Sequence, residues 1–195
     1  MSGTDLQVIV GLGNPGPEHV LTRHNAGFWL VDALAAKYGG SFRAHAKYHG
    51  EICRVTIADQ EVTLLKPQTY MNRSGLAVRA LTDYLKVPAH KVLIAYDELD
   101  LPVGTARFKF GGGAGGHNGV RDVVTNVGAE CWRLRIGVGH PGNKEQVIDY
   151  VLRRAAREEE ETTLATIARA VEYIGVFLQE GAEKAMNGLH QKGSG

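Results

Sequence analysis

Several things are scarce in this sequence, and each scarcity removes a class of protein. Only two cysteines are present, Cys53 and Cys131, and they form no C-x-x-C pair. A disulfide scaffold and a cysteine zinc site are therefore poor fits, and two small buried hydrophobes in a reducing cytosol fit better. No run approaches the roughly 18 apolar residues that a membrane helix requires. The N-terminal stretch "MSGTDLQVIV" turns straight into a strand and a glycine loop, without the basic flank and apolar core of a signal peptide. Net charge is only +1, so no bulk field advertises a nucleic-acid binder, although a local patch is compatible with it. There is no H-E-x-x-H, no G-x-S-x-G elbow, no internal repeat and no low-complexity tract.

The 195 residues, 44% of them hydrophobic, suffice for one sizeable core. Leu6 to Leu12 reads as a buried strand. Asn25 to Tyr38 has helical spacing, with Phe28, Val31, Leu34 and Ala35 on one face and Gly39-Gly40 as the stop. Tyr48 to Lys66 reads as two strands around Asp59-Gln60. Asn72 to Leu85 is helical, with Ala77, Leu81, Tyr84 and Leu85 facing inward. Strands follow in "KVLIAYDELD", Arg107–Phe110 and "WRLRIGVG", with a helix from about Asn118 to Val127. A long amphipathic helix closes the pattern, its apolar face assigned to Leu164, Ile167, Ala168, Val171, Ile174, Gly175 and Leu178. Glu158 to Glu161 sit at its start, where the helix dipole favours acids. Strands alternate with helices, so the class is α/β. The hairpin makes the sheet mixed.

"GLGNPG" (Gly11–Gly16) has the spacing of a dinucleotide fingerprint after a strand. Two features spoil that reading. Pro15 and Pro17 remove amide donors that a phosphate cradle needs. The nearest ribose-binding acid, Asp32, falls inside a predicted helix rather than at a strand end. What remains is Asn14, a side-chain amide held at a strand end, where sheets of this class bind ligands.

Polar clusters gather at other loop positions: Arg23-His24-Asn25, Asn72, Asp97 and His117-Asn118. A histidine can take a proton from water, and a carboxylate can fix its tautomer. Asparagine amides can stabilise a developing oxyanion. That set suffices to hydrolyse an ester with activated water. A metal held by His24, Asp97, His117 and His140 is the rival reading. Between Thr105 and Arg135, five cations (Arg107, Lys109, Arg121, Arg133, Arg135) stand against Asp122 and Glu130. If their strands are neighbours, Arg107, Lys109, Arg133 and Arg135 form a surface suited to phosphates.

Five blocks, "GLGNPGPEHVLTRHNAGFWLVD", "LKPQTYMNRSG", "AYDELDLPVG", "FGGGAGGHNGVRD" and "RLRIGVGHPG", together resemble the bacterial-type peptidyl-tRNA hydrolase family, in its order and over most of the chain. The resemblance implies hydrolysis of the ester between a peptide and the 3′ ribose of tRNA, by a cytosolic monomer without metal or cofactor. It implies a single α/β domain over residues 1–195, a mixed sheet sandwiched between helices, with a lid-like helical segment from about residue 150. By resemblance, His24 is the general base, Asp97 its supporting carboxylate, and Asn14 a residue that distinguishes blocked from free aminoacyl ends. Asn72 and Asn118 hold substrate, Tyr70 and Met71 form the adjoining wall, and Arg107, Lys109 and Arg135 contact tRNA phosphates. Two positions depart from the pattern. His19 stands where the family usually has tyrosine, and "YVLRRAAREEEE" lacks the glycine and proline common before the lid-like helix.

Overall fold

The structure, a computed structural model, describes residues 5–191. Seven strands form one sheet: β1 (Val8–Gly11), β2 (Arg43–His45), β3 (Gly50–Ile57), β4 (Gln60–Pro67), β5 (Val92–Glu98), β6 (Ala106–Phe110) and β7 (Trp132–Gly137). Six helices accompany them: α1 (Ala26–Lys37), α2 (Ser74–Leu85), α3 (Asn118–Val127), α4 (Val147–Val151), α5 (Arg157–Glu180) and α6 (Ala182–Leu189). The strand order is β2-β3-β4-β1-β5-β7-β6. β4, β1, β5 and β7 run parallel, while β2, β3 and β6 are antiparallel additions at the edges. The mixed sheet expected from the hairpin is present.

The central strands are apolar on both faces because helices cover both. Ile9, Leu93 and Ala95 face α1 and α5, while Val8, Val10, Val92 and Ile94 face α2 and α3. No helix among the described residues is long and apolar enough to cross a membrane.

Two assignments of inward faces need correction. On α5, Leu164 and Ala168 are exposed, and Thr163, Thr166, Ala170 and Phe177 are buried with Ile167, Val171, Ile174 and Leu178. Thr163 and Thr166 can be buried because their hydroxyls donate to the helix carbonyls of Glu159 and Thr162. On α2, Val78 takes the inward place assigned to Tyr84, which is exposed. β2, α4 and α6 were not expected. Each is short, and the all-exposed β2 carries no periodic signal.

The connection from β1 leads to the β2–β4 side of the sheet, and that from β4 crosses β1 to reach β5. The sheet therefore has its switch point at β1, where ligand crevices form beyond the strand ends. Gly11 and Gly27 let α1 reach that point. A methyl group on Gly27 would overlap the carbonyl of Ala95 and the backbone of Leu12, and one on Gly11 would overlap the Gly27 carbonyl. Backbone thus touches backbone where α1 meets β1 and β5.

The β3–β4 hairpin closes with Ile57 opposite Gln60, leaving Ala58 and Asp59 as a two-residue turn at φ 51° and 63°. That is a type I′ turn, and alanine is strained there. Ala58→Gly should stabilise the fold by about 1 kcal/mol and raise Tm by about 2–4 °C. A lower Tm in thermal unfolding would contradict this assignment of strain.

Candidate active site

Three adjacent strands supply the site: the loops after β4 and β1 carry Tyr70–Asn72 and Asn14, and the C-terminal end of β5 carries Asp97. Asp97 closes the buried part of β5 and is 2% exposed. A carboxylate so placed must be fully hydrogen-bonded. Two rings do this. His24 Nδ1 lies 2.9 and 3.0 Å from the two Asp97 oxygens. His117 Nε2 lies 2.8 Å from Asp97 Oδ1.

The tautomers follow from the partners. His117 Nδ1 accepts the backbone N–H groups of Gly119 and Val120, capping α3. Its ring proton therefore resides on Nε2, which donates to Asp97. His24 likewise donates from Nδ1, so its Nε2 carries a lone pair with no partner among the described residues. That nitrogen is the available base.

Burial is the largest influence on His24 and disfavours the charged ring. The negative charge of Asp97 and its hydrogen bond outweigh burial, so the ring titrates above its ordinary 6.5. Burial also opposes ionisation of Asp97. The facing His24 and His117 rings overcome it and hold the carboxyl well below the usual range.

Asn14 is 7% exposed, and its orientation is decided by its neighbours. Its side-chain oxygen accepts the Met71 N–H at 2.7 Å. Its backbone exchanges two bonds with the Asn25 side chain, at 2.8 and 3.0 Å. The Asn14 Nδ2 group is left with two donors to offer. The "GLGNPG" loop therefore presents an amide. Its glycines serve other ends: Gly11 admits α1, and a methyl on Gly13 would strike the Phe28 ring. The turn after Gly16 is only Pro17–His19, and the next α-helix starts at Ala26, so no helix N-terminus receives a pyrophosphate at this loop.

The His24 turn is pinned from the C-terminal segment. Arg23 stacks 3.8 Å from the centre of the Tyr150 ring, donates to the Tyr150 carbonyl at 2.9 Å, and receives the Arg153 carbonyl on its own N–H. Met71 is buried, and Tyr70 and Asn72 beside it are exposed. Asn118 is exposed at the first turn of α3. The starts of α2 and α3 are tied by Gly75 N–H donating to Asp122 at 2.7 Å. His19 ends its own turn, with Nε2 3.6 Å from Glu18, and makes no bond to the His24–Asp97 pair.

The sequence alone gives Asn25 no role at the site, and gives His117 only that of a ligand in the rival metal reading. The structure makes His117 the second donor to Asp97 and Asn25 the brace of Asn14. A histidine at a helix N-cap after a glycine loop was the available signal for the first. Asn25, next to His24, carried none that separates it from an ordinary helix start.

His24, Asp97 and His117 present ligand-type atoms within 4.8 Å of one another, a spacing a metal can use. Both ring nitrogens facing Asp97 carry protons in the network above, so a metal would have to displace both hydrogen bonds. His140 is not in this group. It is exposed, and its Nδ1 accepts the Gly142 N–H.

The basic strands are neighbours in the expected register, with Arg107 opposite Arg135 and Lys109 opposite Arg133. Their charges are not equally available. Arg133 is fully buried and donates to the carbonyls of Gly112, Gly113 and Ala129. It fastens the glycine loop and faces no ligand, which corrects the four-cation surface. Arg135 is held by Glu98 at 2.8 Å. Arg107 and Lys109 stay exposed.

A mixed α/β sheet that presents a His–Asp pair with an unspent ring nitrogen, beside an unspent amide, defines a hydrolytic α/β enzyme. A family model described as peptidyl-tRNA hydrolase matches residues 8–194. A peptidyl-tRNA hydrolase of Cupriavidus necator is 48% identical over 194 residues, covering 95% of this chain and 98% of the relative. One from Neisseria meningitidis serogroup A is 46% identical over 193 residues, covering 98% and 100%. The crystal structure of peptidyl-tRNA hydrolase from Acinetobacter baumannii matches with a TM-score of 0.93 at 45% identity, covering 96% of this chain and 95% of that one. The chain belongs to the peptidyl-tRNA hydrolase family.

The network has a consequence in pH. A base is active only when neutral, so kcat/KM should rise with pH through a midpoint above 6.5, the ordinary histidine value. Asp97→Asn should move that midpoint down and cut the rate by about 10²-fold or more, because it removes both the charge and the tautomer lock. An acid limb unmoved by Asp97→Asn would separate the titration from His24.

Proposed function

We propose that this chain cleaves the ester between a peptide and the 3′ ribose of tRNA, with His24 as general base. The observation that carries this reading is the unspent Nε2 of His24, held by Asp97 beside the unspent amide of Asn14. Water bound at His24 attacks the ester carbonyl carbon, and Nε2 takes its proton. Asparagine amides receive the oxyanion and the peptide backbone. The tetrahedral intermediate then loses its bond to the ribose 3′ oxygen, which takes the proton back from His24. No step needs a metal or a cofactor.

Asn14, Asn72 and Asn118 hold substrate in this reading, with Tyr70, Met71 and His19 as the surrounding wall. Asn14 distinguishes an amide-blocked end from a free aminoacyl end by donating to a peptide carbonyl. Arg107, Lys109 and Arg135 meet tRNA phosphates, and the first two carry most of that attraction, because Glu98 already neutralises Arg135. The lid-like role stays with the helical segment from about residue 150 onward, of which the residues before α5 are the part not built into the core. The enzyme works as a cytosolic monomer.

His24→Ala should lower turnover of an N-acetyl-aminoacyl-tRNA by about 10²–10⁴-fold with an unchanged circular dichroism spectrum. The wild type should keep full activity in a chelator. Near-normal turnover in the variant would remove His24 from the chemistry, and activity lost to chelator would favour a metal at His24, Asp97 and His117. Substrate affinity should also fall with salt, and Arg107→Ala with Lys109→Ala should lower the log–log slope by about 1–2. An unchanged slope would place the phosphates elsewhere.

A further inference from the structure

A cavity of about 360 Å³ lies away from the catalytic loops, at the β2 edge of the sheet on the α2 side. It shares no lining residue with the His24–Asp97 centre. Its floor is the β3–β4 pair, where Arg54 stands opposite Thr63. One wall is a row of rings: His45 and Tyr48 have centroids 6.0 Å apart, and Tyr48 and Tyr84 5.4 Å. Arg43 on β2 stands at the rim.

The chemistry of the lining is one-sided. It holds two guanidinium groups and a histidine but no carboxylate. Arg54 has only a loose contact with Glu61, at 3.8 Å between two well-exposed side chains. Such a pair is worth little, and a doubly charged anion displaces it. Arg43 has no ion-pair partner among the described residues. Lys47 lies 4.3 Å over the Tyr84 ring and adds a further cation to the rim. Thr63 is 7% exposed, and its hydroxyl has no protein partner among the described residues. The hydroxyl is open to solvent on the cavity side and is free to bond a polar group placed there.

A cation is excluded by the charge, and a purely apolar ligand by the two guanidinium groups and the hydroxyl. A bare inorganic anion would leave the ring wall unused. The volume is within the range of small-ligand sites. A flat ring that stacks, joined to a group that accepts paired arginine hydrogen bonds, matches both the row of rings and the two arginines of the lining. We propose that this cavity is a nucleotide site that takes a nucleoside 5′-phosphate, its base against the Tyr48–Tyr84 row and its phosphate on Arg43 and Arg54. The nucleotide comes either as a free molecule or as one unit of the RNA substrate.

Full-length protein titrated with 5′-AMP, adenosine and inorganic phosphate, followed by NMR, tests this. 5′-AMP should shift the Tyr84 ring and the Arg54 and Thr63 amides, with adenosine and phosphate each about tenfold weaker. Arg43→Ala with Arg54→Ala should weaken 5′-AMP about tenfold or more. Both arginines are exposed, so the fold should survive; Tyr84→Ala is the independent second variant. kcat on N-acetyl-aminoacyl-tRNA should not change in either. A KM raised about threefold or more assigns the site to a nucleotide of the RNA. 5′-AMP binding with an unchanged KM assigns it to a free nucleotide. Signals unmoved at about 10 mM 5′-AMP, together with an unchanged KM, overturn the proposal.

Discussion

The site depends on one buried carboxylate. Asp97 sits at the end of a strand that is covered on both faces, so it cannot be hydrated and must be satisfied by protein. Two imidazoles satisfy it, and the order matters. The α3 cap fixes the His117 proton on the nitrogen facing Asp97. His117 thus holds Asp97 Oδ1 as a fixed donor, and His24 Nδ1 lies against both carboxylate oxygens. A capping interaction on one helix thereby bears on the chemistry of a residue before another.

That approach is possible only because backbones touch. Gly27 places the first turn of α1 against Leu12 and Ala95, and Gly11 leaves room on the strand side. The short turn Arg23–Asn25 is carried with α1, so one packing contact delivers His24 to Asp97 and Asn25 to Asn14. From the opposite side, Tyr150 and Arg153 clamp Arg23. The turn is held at both ends, which leaves His24 little freedom except at its outer nitrogen.

Much of this is legible in the sequence. All ten strand and helix segments read from periodicity occur close to their expected bounds, because apolar runs covered on both faces and glycine stops are strong local signals. The inward face of α5 was misplaced because buried threonines on a helix read as polar, although their hydroxyls are satisfied by the preceding turn. The basic cluster was read correctly as neighbouring strands and too generously as a surface. Charge is visible in a sequence, but burial and pairing are not, and they divide Arg133 and Arg135 from Arg107 and Lys109.

The sequence by itself determined the class, the alternation of strands and helices, and the residue types that meet at the strand ends. It also argued against a dinucleotide loop, because prolines cannot donate the amides that such a loop spends on phosphate. Tertiary structure decided which of those polar residues touch. His24, Asp97 and His117 are separated by 73 and 20 positions, and only the crossing of the chain over β1 brings them together. It decided their protonation as well. A tautomer is set by the partner on the other nitrogen, and that partner is supplied by a distant part of the fold.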